Sequence, residues 1–416
     1  MEKLIYVYEN WSSESPILLG RLYVNKVKRS ESYSFEYDES WLRNSDMRYI
    51  LDPDLALYRG RQYTPLDKSL FGLFSDSCPD RWGRLLMQRR EAIAARKEGR
   101  KPDKLNESDY LLGVYDAARM GALRFSLGEG SSFESSDESL ATPPWVSLRK
   151  LESASIAFEN DESGLEEQWL KQLLAPGSSL GGARPKATVQ DVDGSLWIAK
   201  FPSKHDDTNS GAWEMTVHEL ARMCGLNVPE ARLETFSPNG ATFIVKRFDR
   251  DGTRRIHFSS AMTLLGQSDG NTGNSYLDMV DFIKMNGSSP KADLIELWKR
   301  VVFNMAVTNS DDHLRNHGFI LTNTGWKLSP LYDVNPVPYG DALSLNVSMD
   351  DNSIDIDLAI ETAEFYDIPS EDAEIMAQEI LSTVKNNWER IAKENGLSRE
   401  SITRMRPAFD ICYQAL

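Results

Sequence analysis

Cysteine is scarce in this 416-residue chain: Cys78, Cys224 and Cys412 are far apart and odd in number, and no Cys-x-x-Cys pair offers a zinc or redox site. They read as reduced, buried thiols. No run of 18 apolar residues occurs, which argues against a transmembrane helix, and the opening MEKLIYVYENWSSESP lacks the apolar core of a secretory signal. Basic residues are in deficit, 47 against 63 acidic, and the formal net charge of −16 argues against a generic nucleic-acid-binding surface. Any contact with DNA would go through a partner. These absences lead to the expectation of a soluble cytoplasmic protein that binds neither membrane nor nucleic acid directly.

What is present is a hydrophobic fraction of 41%, enough to build the two or three domains that the length predicts. Alternating segments at Leu4–Tyr8, Ile17–Val24 and Tyr33–Tyr37 predict a small antiparallel sheet. From Pro65 the apolar spacing turns helical, through Leu70, Phe71, Phe74, Trp82, Leu85, Leu86 and Ile93, with Pro79 splitting two helices. The stretch 128–144, GEGSSFESSDESLATPP, is polar and reads as an exposed linker or mobile loop.

A helix predicted over Leu165–Ala175 leads into Pro176-Gly-Ser-Ser-Leu-Gly-Gly-Ala-Arg-Pro-Lys186, ahead of a strand pair, Ala187–Gln190 and Leu196–Phe201, turned at Asp193-Gly194. Glycine permits close approach and positive φ, so such a segment can bring backbone N–H groups to phosphate. It is neither GxxxxGK[ST] nor GxGxxG, and a plain turn between helix and sheet would look the same. Lys200, late in an apolar strand, is the candidate to meet nucleotide phosphates, as in kinases. A helix over Ala212–Cys224, stopped by Gly225, follows it and offers Glu214 or Glu219 as the partner of Lys200. Strands Glu230–Phe236 and Ala241–Phe248 form a hairpin at Asn239-Gly240. Its end supplies Ile244, Val245 and Phe248 as an apolar wall, with backbone able to bond an adenine edge. Beyond a polar loop at 266–275 the chain turns helical, over Tyr276–Met285, Lys291–Thr308, Glu371–Asn395 and Ser398–Tyr413.

The densest chemistry lies in Val301–Pro338, VVFNMAVTNSDDHLRNHGFILTNTGWKLSPLYDVNPVP. Phosphoryl transfer needs a base near the attacking hydroxyl and oxygen ligands for the magnesium ions that bridge the phosphates. Asp311 fits the base, Asn316 a metal ligand five residues later, and Asp333 the second ligand after a hairpin over Gly318–Leu328. Asp312 beside Asp311 leaves a second choice of base; the frame set by His313 and Asn316 selects Asp311.

The run Asn309-Ser-Asp-Asp-His-Leu-Arg-Asn316, followed by Leu328-Ser-Pro-Leu-Tyr-Asp-Val334, resembles the signature of the HipA family, the serine/threonine kinase toxins of bacterial toxin-antitoxin systems. Phe74–Leu86 and Gly121-Ala-Leu-Arg-Phe125 resemble that family's N-terminal region. Val245-Lys-Arg-Phe-Asp-Arg250 is similar to its link between lobes, and Pro176–Lys186 to its phosphate loop, which carries an autophosphorylated serine. The frame S-x-x-G-A-x-x-K puts that serine at Ser179, with Ser178 as competitor. Arg184-Pro185 departs from the Gln-Glu that family members often carry.

The resemblance implies an α/β (α+β) fold. A small sheet-plus-helix subdomain over 1–127 and the 128–144 connection would precede a two-lobed kinase-like core, with a small lobe over 145–250 and a helical large lobe over 251–416. ATP and Mg²⁺ would be the cofactors. Ser179, Gly181, Gly182, Ala183, Lys186, Lys200, Val245, Lys246, Phe248 and His313 would meet the nucleotide, and a phosphate on Ser179 would settle against Arg184 or Lys186. Implied partners are a protein substrate with a phosphorylatable serine or threonine, aminoacyl-tRNA synthetases being known family targets, and a DNA-binding helix-turn-helix antitoxin. Two rival readings are a catalytically silent kinase-like binding module or co-repressor, and a metal-dependent hydrolase using Asp311, Asp312, His313 and His317.

Overall fold

A computed structural model describes residues 2–27, 30–43, 49–136, 142–160, 173, 182 and 184–414. It divides into two compact units, Met1–Lys204 with Lys246–Ser268, and His205–Val245 with Asp269–Leu416. The architecture is mixed α/β with several small antiparallel sheets, as the sequence predicts.

The first unit opens with strands β1 (Glu2–Glu9), β2 (Ile17–Val27), β3 (Ser30–Tyr37) and β4 (Gln62–Tyr63). Together with β5 they form an antiparallel sheet in the order β4-β3-β2-β1-β5, where β5 is Leu123–Ser126. Alternation of period two sends Ile5, Val7, Leu22, Val24 and Phe35 into the core. The polar segment after β5 also packs on this sheet: Phe133 meets the Tyr8 ring edge-on at 5.5 Å and lies under the Arg124 guanidinium.

Helices α1 (Arg81–Lys97) and α2 (Glu107–Gly113) follow the Pro79 break, α1 capped by Asp80 and α2 by an Asn106/Asp109 capping box. Arg84 joins them through a bidentate pair with Glu107 at 2.8 and 2.6 Å. Arg119, fully buried, donates to the carbonyls of Ser77, Leu111 and Val114 and so satisfies the loop backbone at the centre of this unit. Asp249, also fully buried, accepts from Arg247, Arg250 and the Gly121 amide. The segment 247–250 is thereby anchored on Gly121-Ala-Leu-Arg-Phe125.

Helix α3 (Leu148–Glu159) precedes the hairpin of β6 (Lys186–Gln190) and β7 (Leu196–Lys200), whose turn carries Gly194 at φ +85° as expected. The helix expected over Leu165–Ala175 lies outside the described residues except for Leu173, which is buried.

The second unit holds α4 (Ser210–Met223) and the hairpin of β8 (Ala231–Ser237) and β9 (Gly240–Lys246), the strand's last residue, Lys246, being counted with the first unit. A side chain at Gly211 would come within 2.1 Å of the Ala241 carbonyl, so glycine is what lets α4 lie on β9. Helices α5 (Tyr276–Asn286) and α6 (Pro290–Ala306) lead to the hairpin of β10 (Gly318–Thr322) and β11 (Gly325–Leu328), then to α7 (Ser370–Glu394) and α8 (Arg399–Met405). Core aromatics join them: Trp388 stacks on Phe409 at 4.3 Å, and Trp298 donates to the Ala359 carbonyl.

One helix expectation is corrected. Ser398–Tyr413 is not continuous: α8 ends at Met405, a 3₁₀ turn spans Arg406–Phe409, and a last turn of helix covers Ile411–Gln414. Pro407 has no N–H to continue the α-helical ladder. The three cysteines are free and buried, and burial pushes each thiol up to about 12.

Candidate active site

The 301–338 stretch lies within the second unit. Helix α6 presents Leu294, Leu297, Trp298, Val301, Val302 and Met305 to the core and ends at Ala306, and just past its C-cap Val307 the backbone of Thr308 is in the left-handed region at φ +48°. The Asn309 amide closes the helix by donating to the Asn304 carbonyl at 2.8 Å, and Thr308 Oγ1 donates to the Ala408 carbonyl. A β-branched residue in this conformation is strained, and strain of this kind concentrates at functional sites. The polar turn 309–316 begins directly after Thr308.

The two adjacent acids of this turn have opposite surroundings. Asp312 is buried, and its Oδ2 accepts from Tyr276 Oη, from Asn304 Nδ2 at 2.9 Å and from His317 Nε2 at 2.7 Å. Asn304 in turn accepts from Asn309 Nδ2 at 3.1 Å. Burial first, and the Asp312 carboxylate second, push the Tyr276 hydroxyl well above its ordinary value, so it stays a donor. Asp311, one residue earlier, is exposed.

Asn316 Nδ2 donates to the Asp311 carbonyl at 3.1 Å, which orients the amide. Its Oδ1 is buried and finds no hydrogen-bond partner among the described residues. A buried amide oxygen left open is costly unless something accepts its lone pairs, and a divalent cation does so. Asp333 is half-buried at φ +59°, left-handed again. Its loop is tied to the 309–316 turn on both sides: Tyr332 Oη donates to the Arg315 carbonyl at 2.8 Å, and the Asn335 amide to Asn309 Oδ1 at 3.4 Å. An amide oxygen and a carboxylate on tethered loops fit the hard-oxygen ligand set of Mg²⁺.

His313 is half-buried, and its Nδ1 finds no partner among the described residues. Val245 is half-buried at the end of β9. The remaining expected nucleotide contacts that are described belong to the first unit. Lys200 is buried in β7, and Lys246 lies 5.7 Å from the centre of the Trp197 ring. Phe248 packs against Phe258 at 5.8 Å. Lys186 is buried with its ammonium 2.6 Å from Asp80. Of the two glutamates on α4, Glu214 is buried; Glu219 is half-buried, and burial raises its carboxyl. Ser178, Ser179, Gly181 and Ala183 lie outside the described residues.

The sequence assigns Tyr276 and Asn304 no part in the site, and Asn309 and Tyr332 stand in the quoted motifs without a role of their own, although all four build the turn. Asn304 could have been found as a polar side chain among the apolar positions of α6, and Tyr276 as the first helical residue after the Ser275 cap, inside the Ser275/Asp278 capping box. Among the described residues no group of three or more His, Cys, Asp and Glu side chains is arranged to hold a metal ion. The four-ligand set of the hydrolase reading is therefore not assembled, because Asp312 and His317 are spent on each other.

Residues 178–388 match the HipA-like C-terminal domain. The chain belongs to this family. It is 31% identical over 192 residues to "Putative kinase Y4mE" of Sinorhizobium fredii, covering 39% of this chain and 43% of that protein. It is 26% identical over 229 residues to the serine/threonine-protein kinase toxin HipA of Shewanella oneidensis, covering 46% of this chain and 51% of the toxin. The matches thus span about half the length of these relatives. The fold is similar along the whole chain to HipA in a Shewanella oneidensis complex of HipA, HipB and operator DNA: TM-score 0.67, 16% identity, 99% of this chain and 97% of that one. No described helix is long and apolar enough to cross a membrane.

Proposed function

We propose that this HipA-family protein is an ATP-dependent serine/threonine protein kinase that acts as the growth-arresting toxin of a toxin-antitoxin pair in the cytoplasm. The observation that carries the reading is the division of labour in the turn 309–316. Asp312 is consumed in holding the turn, while Asp311 is exposed beside an asparagine whose amide oxygen is left open.

In this reading the substrate hydroxyl gives its proton to the Asp311 carboxylate as its oxygen bonds to the γ-phosphorus. The bond from γ-phosphorus to the bridging oxygen breaks, and ADP leaves. Asn316 and Asp333 would hold Mg²⁺, which when bound would screen the phosphate charge. Lys200 meets the phosphates. Ser179, or Ser178 beside it, accepts a phosphate in autophosphorylation. The protein substrate carries a serine or threonine, as in an aminoacyl-tRNA synthetase, and a helix-turn-helix antitoxin provides the link to DNA. The relatives named "Putative kinase Y4mE" and serine/threonine-protein kinase toxin HipA, and the fold shared with HipA, support this assignment.

Thermal shift of the purified chain tests it. Stabilisation by ATP that requires Mg²⁺, with transfer of labelled γ-phosphate to protein, is the expected result. No shift with ATP under any metal condition would instead favour a silent binding module or co-repressor.

A further inference from the structure

The segment Cys78-Pro-Asp-Arg-Trp82 takes no part in the transfer chemistry, yet it reaches the end of the glycine-rich segment. Lys186 closes that segment and opens β6, and its ammonium sits 2.6 Å from Asp80 Oδ2, the two side chains 2% and 6% exposed. The same ammonium approaches the Gly182 carbonyl at 3.4 Å, and the Lys186 carbonyl accepts from Trp82 Nε1 at 3.1 Å. The other oxygen of Asp80 accepts from the Gly83 amide at 2.8 Å and caps α1. One carboxylate therefore joins the start of α1 to the end of the glycine-rich segment.

The register of the following hairpin explains why a counter-charge is needed there. Lys186 pairs directly with Lys200 across β6 and β7, and both are buried. Opposed residues of an antiparallel pair share a face with Cβ atoms about 5 Å apart, and like charges so placed repel. Burial raises the cost of any cation left without compensation. Asp80 compensates Lys186 and so allows Lys200 to remain charged opposite it.

We propose that Asp80 is a positioning residue for nucleotide binding: by neutralising Lys186 it fixes the end of the glycine-rich segment and keeps Lys200 charged as the cation for the phosphates. The proposal rests on the kinase reading. It gives Lys186 a different task from direct phosphate contact, and it gives the N-terminal region a part in the transfer reaction.

The test uses the full chain. Asparagine caps helices as well as aspartate, so Asp80→Asn keeps the α1 cap while leaving the Lys186 ammonium buried without a counter-charge. The expected result is a KM for ATP raised about tenfold with kcat at saturating ATP within about twofold of the parent. Adding Lys186→Met removes both charges and should bring KM back to within about threefold of the parent, because a buried ion pair exchanged for apolar contact is often neutral. A role in helix capping alone would leave KM untouched in Asp80→Asn. A parental KM in that variant, or a double variant as impaired as the single one, overturns the proposal. Should Asp80→Asn fail to fold, the double variant decides: ATP binding like the parent upholds the proposal and loss of binding overturns it. Calorimetry of Mg²⁺-ATP with the parent chain separates the two levels. No binding there removes the kinase reading and this proposal together, whereas parental binding unchanged in Asp80→Asn removes only the role of Asp80.

Discussion

His317 Nε2 lies 2.7 Å from Asp312 Oδ2, both side chains essentially without solvent exposure, and this contact closes the turn 309–316 onto the strand after it. This oxygen also accepts from Tyr276 and Asn304, and as an acceptor it meets the His317 ring through Nε2–H. Tyr276 from the start of α5 and Asn304 from inside α6 converge on the same oxygen. Three elements are thus locked to one buried acid, and the neighbouring acid is left exposed.

Replacing Asp311 with asparagine should abolish transfer and spare the fold, because the side chain is exposed and among the described residues none hydrogen-bonds or pairs with it. A general base contributes at least about a hundredfold to rate. Labelled phosphate transfer by the purified variant, with circular dichroism to check the fold, measures this. Near-parental transfer would shift the role to Asp312.

Asp312→Ala acts on stability. It leaves the Tyr276 hydroxyl, the Asn304 amide and the His317 ring without their acceptor, a loss of about 3 kcal/mol or more. Tyr276→Phe removes a single donor and should cost about 1 kcal/mol. Urea titration of both variants gives the comparison, and equal costs would mean that Asp312 does not organise the turn.

Much of this candidate site is legible in the sequence because the residues proposed for its chemistry sit in one short turn and hairpin. Asp311, Asn316 and Asp333 fall at spacings set by local backbone, and Asn323-Thr324-Gly325 marks the turn that the structure confirms. The supporting layer is not local. Tyr276 reaches Asp312 across 36 positions and Asp80 reaches Lys186 across 106, distances over which periodicity and turn signals carry nothing. The strands of the first sheet could be read from alternation, whereas the break in the last helix turned on one proline within an otherwise helical pattern.

Asp333→Ala withdraws a carboxylate from the expected Mg²⁺ site and should weaken Mg²⁺-dependent ATP affinity about tenfold or more while leaving Mg²⁺-free affinity unchanged. Calorimetry with and without Mg²⁺ separates the two quantities. An unaltered Mg²⁺ dependence would make Asp333 a structural residue of a strained loop.

Acid should unfold the first unit through Asp249. Burial alone would raise this carboxyl, but Arg247 and Arg250 outweigh it and hold the group at about 2 against an ordinary value of 3.8. A depressed folded-state pKa means stability that is present above about pH 4 and lost as the pH falls toward about 2, on the order of 2 kcal/mol for the one group. Fluorescence-monitored unfolding from pH 6 down to pH 2 should show this loss, and Asp249→Asn should flatten that limb while lowering stability at neutral pH.

The family frame leads to the expectation that Ser179, with Ser178 beside it, belongs to a phosphate loop. A phosphoserine carries about −1.5 to −2 charges at neutral pH, and in a loop expected to cradle ATP phosphates that charge would oppose the nucleotide. Of the two cations expected to receive it, Lys186 has its ammonium, a compact point charge, against Asp80, whereas Arg184 donates from Nε to the Phe201 carbonyl at 3.1 Å. A guanidinium has five donors in a planar fork suited to phosphate, so Arg184 is the favoured donor to the modified serine. The phosphorylated protein should therefore bind ATP poorly, and Arg184→Ala should reduce that inhibition without blocking the modification. Intact-mass and peptide spectrometry after incubation with Mg²⁺-ATP locate the phosphate. Phosphate on Ser178 would keep the mechanism and correct the residue, while phosphate on neither serine would remove self-inhibition from the proposed kinase altogether.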